Sequence, residues 1–355
     1  MNDPNNEPSY NTLHANETCL NTPCDRPGTN NNPPAPAQNR PHLSIVSPAF
    51  NESKNLLPMY DRLVEVLKGL DVDWEWVVVD DHSTDDSFAQ LTALATRDPR
   101  LRAVRFSRNF GSHAAIHCGL SQARGRCAVI MAADLQDPPE VIPQLLAKWR
   151  TGSQVVWAAR DQRPGETKTS LQFSIFYYRL MKHLEGLKGI PSKGADFWLM
   201  DRVVIDAYLQ FKEIHVSAML LILWMGFQQA TITYDKQARL HGHSGWTLKK
   251  KLKLMVDSIT SFTYFPIRLM SYIGMIVATL GFVYAGFIII HALLGYRIPG
   301  WSSLMVVILV LGGMQMGMLG ILGEYLWRSH DETRRRPRYL IERRTWEEGI
   351  NSEND

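Results

Sequence analysis

Apolar residues fall along this chain in three kinds of run, and each kind predicts a different element. Short apolar runs of strand type occur at "LSIVSPAF" (43–50), at Val77–Val79 within "WEWVVVDD", at "LRAVRFS" (101–107), at "CAVIMAA" (127–133) and at "QVVWAAR" (154–160). Between them, apolar positions recur at helical spacing. Leu56, Leu57, Leu63, Leu67 and Leu70 predict a helix over 55–70, and "EVIPQLLAKWR" (140–150) predicts another. Ser83, Thr84 and Asp85 can cap a helix over 86–96, and "RNFGSHAAIHCGLSQA" reads as a loop followed by a helix. Strands alternating with helices predict an α/β fold with a doubly wound, mostly parallel sheet. Ligands of such sheets bind outside the carboxyl ends of the strands. Here those ends carry Pro48, Asp80, Asp81, Arg108, Asp134 and Arg160.

The third kind of run is longer. Tyr272–Leu294 and Ser302–Leu322 are almost continuously apolar, and each reaches the ~20 residues that cross a bilayer as a helix. The short link "GYRIPGW" makes them a hairpin with both ends on one side. Lys249, Lys250, Lys251, Lys253 and Arg268 precede the hairpin; Arg328, Arg334, Arg335, Arg336, Arg338, Arg343 and Arg344 follow it; the link holds only Arg297. The positive-inside rule therefore predicts a multi-pass membrane protein with both termini and the α/β domain in the cytoplasm. Gly313 and Gly317 form a G-x-x-x-G that can serve as a helix-packing face, and self-association stays open. "TLKKKLKLMVDSITSFTYF" (247–265) is basic early and apolar later, as expected of a segment lying on anionic headgroups; a solvated helix face is the alternative. "LQFSIFYYRLMKHL" (171–184) is a second interfacial candidate, whereas "AMLLILWMGF" (218–227) is too short to span and reads as core.

Residues 1–40, rich in Asn and Pro, lack the apolar content to build a core and predict a disordered tail; no signal-peptide pattern is present. The expected organisation is thus a tail (1–40), a catalytic domain (41–246), a juxtamembrane amphipathic segment (247–266), a transmembrane hairpin (267–326) and a basic tail (327–355). A formal charge of +3 over 355 residues gives no argument for a nucleic-acid partner. Cys19, Cys24, Cys118 and Cys127 have no ligand-type neighbours at metal spacing and read as idle thiols.

G-x-G-x-x-G after a strand, the P-loop and the G-x-S-x-G elbow are all missing, which removes support for dinucleotide redox chemistry, P-loop hydrolysis and elbow-type acyl transfer. Acidic strand ends remain. A carboxylate such as Asp80 or Asp81 can accept the ring N–H of a base; the alternative is a capped turn. Asp134 and Gln136 offer two oxygen ligands to Mg²⁺ or Mn²⁺, the shell being completed by phosphate oxygens and water. Ala132, two residues earlier, stands where a fuller site would carry a second acid, and D-x-Q alone is a common tripeptide.

"LSIVSPAFNESKNL", "VVVDDHSTDDS", "FSRNFGSHAAIHCGL", "AADLQDPPE" and "GADFWLMDR", in this order and followed by "HSGWTLKKKLK", two apolar spans and "RRRPRY", resemble family 2 glycosyltransferases of the polyprenyl-phosphate branch. That branch includes dolichyl-phosphate mannose synthase and bactoprenol glucosyltransferases. The resemblance covers about residues 42–344. It implies a GT-A fold and an inverting transfer of a sugar from a nucleotide onto polyprenyl (undecaprenyl) phosphate. It also implies Pro48, Glu52, Asp80, Asp81 and Arg108 around the nucleotide, and Asp134 and Gln136 on the cation. Asp134 and Asp196 would be the catalytic pair, and Arg160, Arg239, Ser244 and Lys249 would lie near phosphates. UDP-glucose is the first donor to expect, with UDP-GlcNAc, UDP-galactose and GDP-mannose open. Three features depart from the branch: Ala132 in place of the first acid of D-A-D-L-Q, His82 in "DDHS", and the histidines of "HGHSGW". A processive polysaccharide synthase would carry Q-x-x-R-W, which is missing here; a non-catalytic scaffold retaining the fold has only Ala132 in its favour.

Overall fold

A computed structural model describes residues 41–160, 195, 197–213, 216–234, 265–294 and 300–346. The expected tail 1–40, the segment 171–184, most of the juxtamembrane segment, and Asp196, Arg239, Ser244 and Lys249 lie outside the described residues.

The chain runs β1 (Leu43–Ala49), α1 (Ser53–Lys68), β2 (Trp74–Asp80), α2 (Ser87–Arg97), β3 (Leu101–Phe106), α3 (Ser112–Gln122), β4 (Cys127–Ile130), α4 (Ile142–Arg150), β5 (Val155–Arg160), β6 (Phe197–Asp201), α5 (Arg202–Gln210), α6 (Ala218–Trp224), β7 (Gln229–Tyr234), α7 (Phe265–Leu293), α8 (Trp301–Thr333) and β8 (Ile341–Arg344). The strands form one sheet in the order β7-β5-β6-β4-β1-β2-β3-β8. β1 pairs in parallel with β2 and β4, β2 with β3, and β5 with β7. β6 runs antiparallel to β4 and β5, and β8 antiparallel to β3.

The period of two along β2 explains the layering. Trp76 and Val78 point into one core, with Leu56, Met59 and Leu63 of α1 and Leu91 of α2. Val77 and Val79 point the other way, toward the face covered by α3, α5 and α6. Every β2 residue is buried, as a strand covered on both faces requires. α6 is core, as expected from its length: Leu220, Leu221, Ile222 and Leu223 are buried and Trp224 is exposed. Cys118 and Cys127 are buried free thiols, both pushed up to about 12 by burial, which makes them poor nucleophiles.

The structure corrects several sequence expectations. β6 and β8 enter the mostly parallel sheet antiparallel to their neighbours, and neither these two strands nor β7 is among the elements expected from the apolar runs. β4 ends at Ile130, so Met131–Ala133 leave the ladder. Part of the basic tail is the edge strand β8, which caps the open side of β3. The two apolar helices extend beyond their apolar stretches. α8 continues through Glu324 and Arg328, whose side chains pair one turn apart at 2.8 Å.

α7 and α8 are long and apolar enough to cross a membrane, and nothing of their apolar windows is buried within the protein. Phe282 is 80% exposed and Leu293 83%. Buried core helices would be covered, so this pair needs an apolar surrounding. Gly274 of α7 faces Met318 of α8, whereas a Cβ at Gly313 or Gly317 would meet nothing within 4 Å. The G-x-x-x-G face is therefore not used between these two helices.

At the amino end of the sheet a buried carboxylate is fully engaged. Glu75 accepts from Ser44 Oγ (2.7 Å), the Arg124 amide (2.6 Å) and Arg124 Nε (2.9 Å). Gly125 closes this cluster by donating its amide to Ser44 Oγ at 2.8 Å. A Cβ at Gly125 would lie 2.6 Å from the Ser44 nitrogen and 2.8 Å from the Cys127 carbonyl oxygen, both backbone atoms. Gly125→Ala is expected to lower unfolding stability by about 2 kcal/mol, as overpacking does. An unchanged denaturation midpoint would show that β1 and β4 yield there.

Candidate active site

The strand order 4-1-2-3 reverses between β1 and β4, which makes their carboxyl ends a topological switch point. The sheet opens there. The ladder between β1 and β4 ends with Val46 and Ile130, and the Met131 amide makes a last bond to the Val46 carbonyl at 3.1 Å. β1 continues against β2, where the Asp81 amide donates to the Ala49 carbonyl at 2.9 Å. Alternation places the Pro48 nitrogen on the β4 side, beyond the last rung. A proline is tolerated in this central strand because the partner that its missing N–H would need has already diverged.

One wall of the opening consists of the loops after β1 and β2, which are stitched together. The Asn51 amide donates to Ser83 Oγ (2.9 Å), the Glu52 amide to Ser87 Oγ (2.9 Å) and the Ser53 amide to Asp85 Oδ2 (3.1 Å). In return the Thr84 amide donates to Asn51 Oδ1 at 2.8 Å. Asp85 also accepts from the Ser87 amide (3.1 Å) and hydroxyl (2.5 Å), an Asx turn leading into α2; the N-cap itself is Asp86, whose side chain makes no capping bond, so the cap expected from Ser83, Thr84 or Asp85 is not made and the helix begins at Ser87. Despite burial, these bonds hold the Asp85 carboxyl below the usual range. Glu52 Oε2 accepts from Asn55 Nδ2 at 2.6 Å. Asn51 and His82 both take positive φ, 57° and 62°. Position 82 thus has the left-handed backbone that glycine adopts without cost. His82 is held in it by a 2.9 Å contact of Nδ1 with the Phe106 carbonyl.

Asp80 and Asp81 are both buried. Asp80 receives the Ser83 amide (3.2 Å) and the Arg105 guanidinium (3.2 Å). Asp81 receives the Phe110 and Gly111 amides, at 2.6 and 2.8 Å. Burial pushes both carboxyls above the ordinary aspartate range, while these hydrogen bonds and Arg105 oppose the rise. The pair therefore organises the turns at the end of β2 and the entry to α3. Arg108 is exposed, its guanidinium 4.0 Å from the Phe110 ring centre and bonded to the Asn109 carbonyl.

The other wall is the turn after β4. Leu135 has φ 60°, an outlier for a bulky residue, yet its side chain is buried in the core. This kink brings the Gln136 amide to Asp134 Oδ1 at 3.1 Å, an Asx turn. Asp137, one residue on, is buried and accepts the Tyr234 hydroxyl at 2.5 Å, tying the turn to the end of β7. Asp134 is only 6% exposed and Gln136 is half-buried. Among the described residues no group of three His, Cys, Asp or Glu could hold a metal by itself. The donors present are one carboxylate and one amide oxygen. They suit a hard cation that takes its other ligands from phosphate and water, and not a closed structural site.

Of the sequence-predicted site residues, Pro48, Glu52, Asp80 and Asp81 gather on the β1 and β2 ends, and Asp134 and Gln136 share one turn. Arg108 is at the β3 end, and the Arg160 backbone is the last residue of β5. Sequence reasoning missed Asn51, Arg105, Asp137 and Tyr234. The first is signalled only by its backbone conformation and the others only by their partners in space.

Residues 44–209 match the model of the family described as glycosyl transferase family 2. Over 300 residues the chain is 38% identical to a Synechocystis protein named an uncharacterized glycosyltransferase, covering 84% of this chain and 94% of that relative. It is 36% identical over 306 residues to the bactoprenol glucosyl transferase of Shigella phage SfX, covering 85% and 99%. A prophage bactoprenol glucosyl transferase homolog of Escherichia coli is 35% identical over 305 residues, covering 85% and 98%.

Asp81→Asn replaces one acceptor oxygen by an NH₂ that must face a backbone N–H. A loss of about 2 kcal/mol in stability is expected, with faster amide exchange at Phe110 and Gly111. Wild-type exchange there would mean that the loop holds without Asp81.

The acidic strand ends at the switch point, the likeness over most of the chain and the matched family model agree: this chain belongs to the family 2 glycosyltransferases and is an enzyme of that class.

Proposed function

We propose that this glycosyltransferase moves glucose from UDP-glucose onto a polyprenyl phosphate, undecaprenyl phosphate being the expected lipid, at the cytoplasmic face of a bacterial inner membrane. The observation that carries the reading is the presence in one chain of buried carboxylates at the switch point and of two apolar helices that nothing among the described residues covers. Relatives named bactoprenol glucosyl transferase support both the sugar and the acceptor. The lysine-rich flank before the hairpin and the arginine-rich flank after it support a cytoplasmic placement of both its ends.

The nucleoside would lie over the stitched β1 and β2 loops, with Asp81 or Asp80 accepting a ring N–H and Glu52 and Pro48 lining the pocket. The diphosphate would lie toward the Asp134 turn. Asp134 and Gln136 would hold Mg²⁺ or Mn²⁺, which when bound offsets the charge of the departing diphosphate. Ala132 removes one anionic ligand, and Mg²⁺ sites commonly use only one or two carboxylates beside substrate phosphates.

The acceptor is a phosphate monoester with a second pKa of about 6, hence mostly a dianion at cytoplasmic pH. It attacks the anomeric carbon opposite the leaving group, inverting that centre. No strong base is needed, because the nucleophile arrives deprotonated. What the protein supplies is orientation and charge compensation. Asp196 near the sugar, and Arg160, Arg239, Ser244 and Lys249 near the phosphates, complete the proposed set.

The test is transfer of labelled sugar to undecaprenyl phosphate by the purified protein in membranes, with a panel of nucleotide sugars and with EDTA. Label from UDP-glucose in the organic phase, lost with EDTA, is expected. Asp134→Ala should lower the rate by at least about a hundredfold while the fold persists, the scale on which removing one charge-stabilising group acts. Metal binding should be weak without nucleotide and strengthen with UDP. Lipid label from another donor would reassign the sugar, and no lipid label from any donor would sink the reading.

A further inference from the structure

The strand that follows the membrane hairpin reaches the nucleotide loop, and its contact there is specific. β8 pairs antiparallel with β3, Arg343 opposite Arg105 and Ile341 opposite Phe106. One residue, Glu342, lies between these partners on β8, whereas none lies between them on β3. Glu342 is thus the extra residue of a β-bulge, the device that re-aims a side chain at a sheet edge. Its carboxylate meets Arg105 Nε at 3.2 Å and lies 3.7 Å from His82 Nδ1.

Arg105 passes the contact inward. It bonds the wholly buried Asp80 carboxylate (3.2 Å) and the Ser83 carbonyl (3.1 Å), beside the Phe88 ring. Asp80 and Arg105 thereby grip both polar groups of the Ser83 backbone, while Ser83 Oγ holds Asn51 of the neighbouring loop at 2.9 Å. Glu342 is the outer anchor of this chain, 35% exposed where Arg105 is 20% and Asp80 is 0%.

The rest of the segment is docked firmly enough to hold Glu342 in place. Tyr339 stacks on Phe106 at 5.0 Å, and Arg102 lies 4.1 Å from the Trp346 ring centre. Thr345 exchanges two bonds with Ala103, each 3.1 Å, and the Ser107 amide donates to the Leu340 carbonyl at 3.0 Å. Arg338 donates to the carbonyls of Phe211 (2.9 Å) and Glu213.

We infer that β8 is a positioning element for donor binding and that Glu342 is its positioning residue, setting Arg105 and, through it, the 80–84 turn that receives the nucleoside. The inference rests on the proposed nucleotide reading of that turn. Membrane anchoring and the nucleotide pocket are then connected through one short strand, because β8 begins only seven residues after α8 ends.

The test uses the full chain in detergent or nanodiscs, with UDP and GDP as probes in the presence of Mg²⁺. Glu342→Gln keeps the size and removes the charge. It should weaken UDP binding about tenfold, the worth of a charge-assisted hydrogen bond, and raise the KM for the sugar donor. The KM for lipid phosphate and the melting temperature should stay close to wild type. Wild-type UDP affinity in the variant would overturn the inference, and so would an equal loss toward donor and acceptor. Coupling is reciprocal, so a second measurement needs no variant: UDP should slow amide exchange at Ser107 and Thr345, which report β8 docking. Unchanged exchange at saturating UDP would overturn the inference too. Failure of the wild-type protein to bind either nucleotide would instead sink the nucleotide reading, and the inference with it.

Discussion

A carboxylate taken out of water must be met by hydrogen bonds or a counter-charge, and the end of β2 buries two in succession. Strand geometry sends consecutive side chains to opposite faces. Asp80 therefore recruits Ser83 and Arg105, while Asp81 recruits the amides that open α3. The loops on either side of β2 are drawn to the same strand end by this one requirement. Apolar residues in their place would leave the Ser83, Phe110 and Gly111 amides without these acceptors and take the buried counter-charge from Arg105. The raised pKa of both groups measures what burial costs; their bonds return part of it.

The parts of this arrangement that depend on period and composition could be read from the sequence. β1 to β5, the four helices among them and the two apolar spans all announce themselves by spacing, and the strand-end rule then singles out Asp80, Asp81 and Asp134. β6, β7 and β8 did not, because β7 and β8 carry no continuous apolar run and that of β6 is only Phe197–Met200. "IERR" has no apolar alternation at all; it is a strand because β3 has an open edge and Tyr339 and Trp346 pack beside it. The backbone conformations were equally hidden. Leu135 at φ 60° contradicts its local preference, and burial of its side chain together with the Asp134 and Asp137 bonds outweighs that preference.

The same turn explains how a site reduced by Ala132 stays ordered. Two acids in a bare loop would repel each other and need a cation to hold them together. Here protein contacts close the turn: the Gln136 amide on Asp134, Leu135 in the core, and the Tyr234 hydroxyl on the inward-turned Asp137. Such a turn is preorganised before any ligand arrives, which lowers the ordering cost of binding.

Topology bears on the membrane as well. The last described residue before the hairpin is Tyr234, at the end of β7, and the chain returns to the sheet as β8. These strands are the two opposite edges of an eight-stranded sheet, about 34 Å apart at the usual strand spacing. A domain attached to its anchor at a single point can swivel freely. The β8 attachment is short: seven residues join it to α8, and Arg338 among them donates to the Phe211 and Glu213 carbonyls, which limits swivel at that edge of the sheet. The bulge at Glu342 brings this attachment against Arg105, so the element that limits swivel also touches the residue that orders the 80–84 turn.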